Sequence, residues 1–317
     1  MLCDKAHGLP SAECATALYD RLPEYDVRAA ATPAEERELA SDSPVVVGVD
    51  VGAELVDRAE SLEYFAAATA GTGHLPMDAL TARGVAVTNA AGVHVPNVPE
   101  HVLGWMLTIA RRLDEGWRRQ QERRWEHFQA FGELAGSTVT VVGLGAIGTG
   151  IVERLQPFDV HTVGVRYTPS KGGPTDEVIG SDETEFREAL SRTDYLVLAC
   201  PLTETTCGLV GAREFETLPE EAVVINVTRG PVVDTDALVG GLRRNEIHGA
   251  AIDVIDPEPL PEDHPLWNLE DLFITPHVSG HTWEYWERVA DIVEENVGIA
   301  QERGAYRGLV NQVAGPE

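Results

Sequence analysis

Thr138–Gly150, TVTVVGLGAIGTG, decides the reading of this chain. Thr138 to Val142 are all β-branched, which suits a strand buried on both faces. Gly143, Gly145 and Gly148 follow in G-x-G-x-x-G spacing, and IVERLQPF (151–158) has helical character. Strand, glycine turn and helix in this order predict a dinucleotide seat. Gly143 would make the tight turn, Gly145 would let the backbone approach a pyrophosphate, and Gly148 would let helix and strand pack closely. Ala146 and Ile147, between the glycines, are further cofactor-binding candidates, and the helix N-terminus would face the phosphates. A glycine-rich surface turn would lack the buried strand and the helix on either side. By itself the motif says nothing about chemistry.

The chain has 317 residues, so two domains are the natural expectation. Its formal net charge of -28 argues against nucleic acid and anionic membrane surfaces as partners. Only Lys5 and Lys171 are lysines; the other basic residues are arginine. This acid excess with so little lysine suits a salt-rich cytoplasm, where counterions screen the self-repulsion. Cys3, Cys14, Cys200 and Cys207 form no C-x-x-C or zinc-like spacing and are read as ordinary thiols in a reducing compartment. The N-terminus MLCDKAHGLP does not resemble a signal peptide. No uncharged apolar run approaches the ~20 residues of a spanning helix. The expectation is a cytoplasmic protein without a membrane partner.

Outward from the glycine turn, strands are expected at 138–142, 161–165, 195–200, 222–227, 249–254 and 272–276, giving a six-stranded parallel sheet. Before it, VVVGVD (45–50), EYFAAATAGTGH (63–74) and GVAVTNAAG (84–92) read as strands or strand ends of a smaller parallel α/β unit. EHVLGWMLTIARRLDEGWRRQQERR (100–124) reads as one long helix, with a buried first half and a polar second half suited to a dimer contact. HTWEYWERVADIVEENVGIAQERG (281–304) reads as another, returning the tail to the first unit.

The strand after the glycine turn ends at Val165 and continues Arg166, Tyr167, Thr168, Pro169, Ser170, Lys171. An acid at that end would hold the ribose 2′-OH of NAD and repel a 2′-phosphate. Arg166 can instead grip a phosphate bidentately and stack on adenine. The expectation is NADP(H) preferred over NAD(H), with Tyr167 and Thr168 beside it.

Three further stretches follow strand ends: INVTRGPVVDTDAL (225–238), AIDVIDPEPLP (251–261) and FITPHVSGHT (273–282). Together with VGLGAIG and CPLTETT they resemble the D-2-hydroxyacid dehydrogenases in order and spacing, over nearly the whole chain. That family includes glyoxylate/hydroxypyruvate reductases, phosphoglycerate dehydrogenase and D-lactate dehydrogenase. The resemblance implies two doubly wound parallel-sheet α/β domains: a Rossmann-type NAD(P) domain (96–284) inserted in a flavodoxin-like substrate domain (1–95 and 285–317). It also implies a homodimer, hydride transfer between a nicotinamide and a small 2-keto or 2-hydroxy acid, and Arg229, Glu258 and His277 as catalytic residues.

The chemistry of those residue types agrees. His277 as imidazolium can give the developing alkoxide its proton, and Glu258 can stabilise that imidazolium. Arg229 can hold the substrate carboxylate and polarise the carbonyl. Backbone amides near Ala70 and Gly71 would bind the carboxylate without adding charge. By the same resemblance Cys200, Pro201, Leu202 and Thr206 should lie at the adenosine end, and Val227 and Thr228 on the nicotinamide side. Asp253 should meet the carboxamide, with Gly280 near His277. Asn97 stands where the family usually has Thr or Ser. His74, His94, Trp283 and Trp286 are candidate substrate contacts, and no metal is expected, His94 and His101 having the wrong spacing. Asp256 is the rival of Glu258. Formate oxidisers of the fold carry Gln at the Glu258 position, and a dinucleotide-sensing corepressor would bind cofactor without useful turnover.

Overall fold

The computed structural model describes residues 11–127 and 130–316; the readings on Cys3 and Lys5 lie outside the described residues. In chain order the elements are α1 (Ser11–Arg21), α2 (Pro33–Asp42), β1 (Val45–Gly48), α3 (Ala53–Arg58), β2 (Tyr64–Ala67), α4 (Met77–Ala82), β3 (Ala86–Thr88), α5 (Asn97–Arg111) and α6 (Leu113–Gln121). Then come β4 (Thr138–Val142), α7 (Ala146–Leu155), β5 (His161–Val165), β6 (Glu177–Ile179), α8 (Glu183–Leu190), β7 (Tyr195–Leu198), α9 (Ala212–Thr217) and β8 (Val223–Asn226). The last are α10 (Thr235–Arg243), β9 (Gly249–Ile252), β10 (Leu272–Ile274), α11 (Tyr285–Arg303) and β11 (Gln312–Ala314). The chain forms two units: residues up to His94 together with those from His281 onward, and Val95–Gly280.

In the first unit the sheet order is β1-β2-β3-β11. The first three strands are parallel, but β11 pairs antiparallel with β3, Gln312 opposite Thr88. The sheet is therefore mixed rather than purely parallel. α11 brings the tail back to the free edge of β3, and an antiparallel edge strand on a parallel sheet is a common way to close it. Alternate residues feed two cores, as the pleat requires. Val47, Tyr64, Ala66 and Ala86 pack with α1 and α11, while Val46, Phe65, Ala67 and Val87 pack with α2, α3 and α4.

The second unit carries seven parallel strands in the order β10-β9-β8-β7-β4-β5-β6. The seventh, β6, corrects the expected six: it has three half-buried residues and pairs with β5 through Val163–Glu177, too short and too mixed in polarity to read from sequence. Counted from β4 the order is 3-2-1-4-5-6-7, so the winding reverses between β4 and β7, where ligands bind in doubly wound sheets. Val139, Val141, Val197 and Ile225 face α5 and α7; Leu196, Leu198, Val224 and Ile252 face the opposite core. The expected single helix over 100–124 is broken. Arg112 takes a left-handed conformation (φ 48°) and ends α5 before α6 begins. Among the described residues no helix is long and apolar enough to cross a membrane.

Candidate active site

The glycine turn is built by close backbone approach. A side chain at Gly143 (φ 96°) would put its Cβ 2.7 Å from Ala199 O and Cys200 Cα. At Gly148 a Cβ would fall 1.9 Å from Gly143 O. Only glycine lets α7 start directly over the end of β4. The first bond of α7 runs from Thr149 N to Gly145 O at 2.9 Å. Among the described residues, the N–H groups of Gly145, Ala146, Ile147 and Gly148 then have no acceptor, so four donors face an incoming anion.

At the carboxyl ends of β4, β5 and β7 lies a cavity of about 600 Å³. Gly143, Gly145, Arg166, Tyr167, Thr168, Cys200, Pro201 and Thr206 line it. So do Lys171, Ser181, Phe186 and Leu209, the last three unread in the sequence because they come from β6–α8 and the turn before α9. Leu202 does not line it and is 41% exposed. The Thr206 hydroxyl donates to Pro201 O at 2.6 Å and accepts from Thr203 N at 2.7 Å, folding CPLTETT onto itself. Arg166 donates from Nη1 to Gly172 O, which ties its guanidinium to its own loop. The cavity wall holds two cations, Arg166 and Lys171, and no carboxylate. Burial pushes the Cys200 thiol up to about 11, so it is a neutral wall group. The glycine cradle, the open amides and this wall fit a dinucleotide.

Arg229, Glu258 and His277 sit on three loops of the second unit. Gly230 lies so close to Ile255 that a Cβ there would come 2.1 Å from Ile255 C, which sets the Arg229 turn against the loop bearing Glu258. Asn226 holds that turn, donating to Arg229 O at 3.1 Å and accepting from the Thr228 amide and hydroxyl. Thr228 and Val227 are buried just past β8, and Arg229 itself is exposed. Glu258 Oε1 accepts from Ile255 N at 3.0 Å, while Oε2 accepts from His277 Nδ1 at 2.9 Å. A carboxylate only accepts, so the proton sits on Nδ1, and Nε2 has no partner among the described residues. Asp256, the rival carboxylate, makes no such bond; its backbone oxygen accepts from Thr235 Oγ1 at 3.0 Å.

The loop bearing His277 is latched to a buried aspartate. Asp253 Oδ1 accepts from Thr275 Oγ1 at 2.6 Å and Val278 N at 2.8 Å; Oδ2 accepts from Ser279 N at 2.9 Å. Burial alone would raise this carboxyl, but the bonds from Ser279, Thr275 and Val278 outweigh it and hold it below the ordinary range. Thr275 went unread because its partner is 22 residues away. Gly280 follows this loop.

In the first unit, Ala70 and Gly71 belong to the loop after β2. The carbonyls of 68–71 are engaged: Ala68 O by the Tyr285 hydroxyl, Thr69 O by Ala90 N, Ala70 O by Asn89 Nδ2, Gly71 O by Thr69 Oγ1. Among the described residues, the N–H groups of 69–74 find no acceptor. The loop is a row of free donors held by its carbonyls. His74 Nε2 donates to Val49 O at 2.8 Å, and His94 stacks on Tyr285. Trp283 is 85% exposed, but Trp286 is 2% exposed in the core of its unit, so it does not line a pocket.

Residues 103–279 match the family profile described as D-isomer specific 2-hydroxyacid dehydrogenase, NAD binding domain. A glyoxylate reductase of Thermofilum pendens is 33% identical over 268 residues, 83% of this chain and 78% of that protein. A D-3-phosphoglycerate dehydrogenase of Archaeoglobus fulgidus is 31% identical over 87% of this chain; the chain spans about half (52%) of that protein's length. Among solved structures, a D-isomer specific 2-hydroxyacid dehydrogenase from Xanthobacter autotrophicus, in complex with NADPH and MES, is 28% identical with a TM-score of 0.78, covering 98% of this chain and 97% of that one. The chain belongs to the D-isomer specific 2-hydroxyacid dehydrogenases, NAD(P)-dependent oxidoreductases of small 2-hydroxy and 2-keto acids.

Proposed function

We propose that this protein reduces a small 2-keto acid, glyoxylate or hydroxypyruvate, to the D-2-hydroxy acid and prefers NADPH. The 2.9 Å bond between His277 Nδ1 and Glu258 Oε2 carries the reading. It fixes the tautomer and leaves Nε2 to carry the proton that chemistry needs. Bound NADPH supplies the hydride to the carbonyl carbon. His277 gives its Nε2 proton to the oxygen in reduction and removes it in oxidation, with Glu258 stabilising the imidazolium. Arg229 pairs with the substrate carboxylate and polarises the carbonyl. In the first unit, the amides around Ala70 and Gly71 are donors suited to a carboxylate. Val227, Thr228 and Gly280 would line the nicotinamide side, and Asp253 would be the residue to hold its carboxamide.

The preference for NADPH rests on Arg166 and Lys171 in a cavity wall that holds no carboxylate. NADPH and NADH oxidation are to be followed with glyoxylate, hydroxypyruvate, pyruvate and branched 2-keto acids at low and molar salt. Turnover of at least one, with higher kcat/KM for NADPH, is expected; activity on none overturns the enzymatic reading. Arg166→Asp should lower the NADPH:NADH ratio by about 10-fold or more. An unchanged ratio would refute the assignment of Arg166.

The protein also acts, on this reading, as a homodimer in a salt-rich cytoplasm. Leu113 and Trp117 on α6 and Trp125 after it are exposed apolar side chains, suited to a contact with a second copy. The net charge of -28 makes stability rise with salt. Sedimentation in molar KCl should give a dimer, and melting should fall in dilute buffer; a monomer, or a salt-independent Tm, would contradict these two statements respectively.

A further inference from the structure

His277 occupies the left-handed region (φ 54°), where a side chain with a Cβ is disfavoured. Its loop must therefore be held from outside. Asp253 holds one side, through the Thr275 hydroxyl and the Val278 and Ser279 amides. The backbone of Asp253 adds a bond, accepting from His277 N at 2.8 Å. Helix α5 holds the other side. Asn97 Nδ2 donates to Ser279 O at 2.7 Å, and His101 Nε2 lies 3.3 Å from Thr275 Oγ1.

The directions of these bonds follow from their chemistry. An amide nitrogen only donates, so Asn97 gives and the carbonyl of Ser279 takes. The Thr275 hydroxyl proton is committed to the Asp253 carboxylate, which only accepts. The hydroxyl oxygen can then only accept from His101 Nε2–H. Burial keeps His101 below the ordinary histidine range, with the Asp253 charge pulling weakly the other way, so its ring is the neutral Nε2–H tautomer. The edge of Trp105, with centroids 4.2 Å apart, fixes that ring.

The spacing matches on both sides. Asn97 and His101 are four residues apart and share one face of α5. Their partners, Ser279 and Thr275, are four residues apart in the loop, in the opposite order, with His277 midway. We propose that Asn97 and His101 are positioning residues, a two-point clamp from α5 that holds the His277 loop and so aims the imidazole for proton transfer. This rests on the reading of His277 as proton carrier.

The test uses full-length protein and three variants. Asn97→Asp keeps the shape and removes the donor. His101→Phe keeps a ring and removes the donor, and His101→Gln restores a donor near Nε2. Hydrogen exchange of the peptide spanning 275–280 is measured with kcat, KM and the NADPH Kd. In Asn97→Asp and His101→Phe, exchange at 277–279 should rise about tenfold or more. kcat should fall about 10- to 100-fold, because a small misplacement of a reacting group costs that much. NADPH Kd should stay within about twofold, and His101→Gln should recover most of both losses. Unchanged exchange in both variants overturns the clamp. Faster exchange with kcat like wild type overturns the positioning role. A weaker NADPH Kd with unchanged exchange makes Asn97 a cofactor contact and also overturns it. Should the wild type turn over no 2-keto acid, the functional reading fails, and the exchange data alone then decide the clamp.

Discussion

Two glycine-bearing loops close parallel strands, one in each unit, and they use glycine for opposite reasons. Gly143 and Gly148, after β4, have no room for a side chain: a Cβ would run into backbone at 2.7 and 1.9 Å. Gly71 and Gly73, after β2, have nothing within 4 Å of a built Cβ. In the first loop glycine lets two backbones meet, and the seat follows from the fit of helix on strand. In the second, glycine leaves space in front of free amides, and hydrogen bonds to the carbonyls of 68–71 hold the shape. One loop is shaped by packing, the other largely by side-chain bonds that can be removed singly. The loop of His277 is a third kind, held by a buried charge.

The largest effect should come from the packed seat. Gly148→Ala drives a methyl into Gly143 O, and overpacking against backbone costs about 3 kcal/mol. Fluorescence titration should show NADPH affinity reduced about 100-fold. Affinity like wild type would mean that α7 can shift, and would remove the steric half of the contrast.

The charged latch should rank next. Asp253→Asn turns charge-assisted bonds into weaker ones, at a cost of about 2 kcal/mol at neutral pH. The sign with pH follows from the direction of the shift. The folded carboxyl lies below its unfolded value, so its contribution is fully present above the ordinary carboxylate range and is lost as pH falls through the folded value. Wild-type Tm should therefore drop more steeply than that of Asp253→Asn on acidification below about pH 4. Parallel curves would show that the carboxylate is not what holds the loop.

The hydrogen-bonded loop should respond most gently. Asn89→Ala frees the Ala70 carbonyl, and KM for the keto acid should rise about tenfold with NADPH Kd unchanged. Equal KM would mean that the side chain does not shape the donors. Gly71→Ala should leave Tm within about 1 °C, because nothing is crowded, and any change should appear in KM alone. A large loss of stability there would erase the difference between the two loops.

The sequence was most readable where a single stretch contains its own explanation. TVTVVGLGAIGTG carries strand, turn and helix start within 13 residues, and the Cβ distances at Gly143 and Gly148 follow from it. The Arg229, Glu258 and His277 motifs could be placed at strand ends by order, and the bond from His277 to Glu258 spans only 19 residues. What could not be read depends on distant partners. Asn97 reaches Ser279 across 182 residues, and His101 reaches Thr275 across 174. The end of α5 at Arg112 has no glycine or proline to announce it. β6 and β11 are three-residue strands whose pairing comes from a neighbouring edge rather than from an apolar pattern of their own.

On the proposed function, the glycine turn seats the cofactor while His277 moves the proton. The most direct test is kcat for NADPH-dependent reduction of glyoxylate or hydroxypyruvate by wild type and His277→Ala, with NADPH Kd measured on the same preparations. Wild type should reduce at least one of the two acids, the variant should lose about 10³-fold in kcat, and Kd should stay within about twofold. A variant that keeps kcat within tenfold of wild type would contradict this reading.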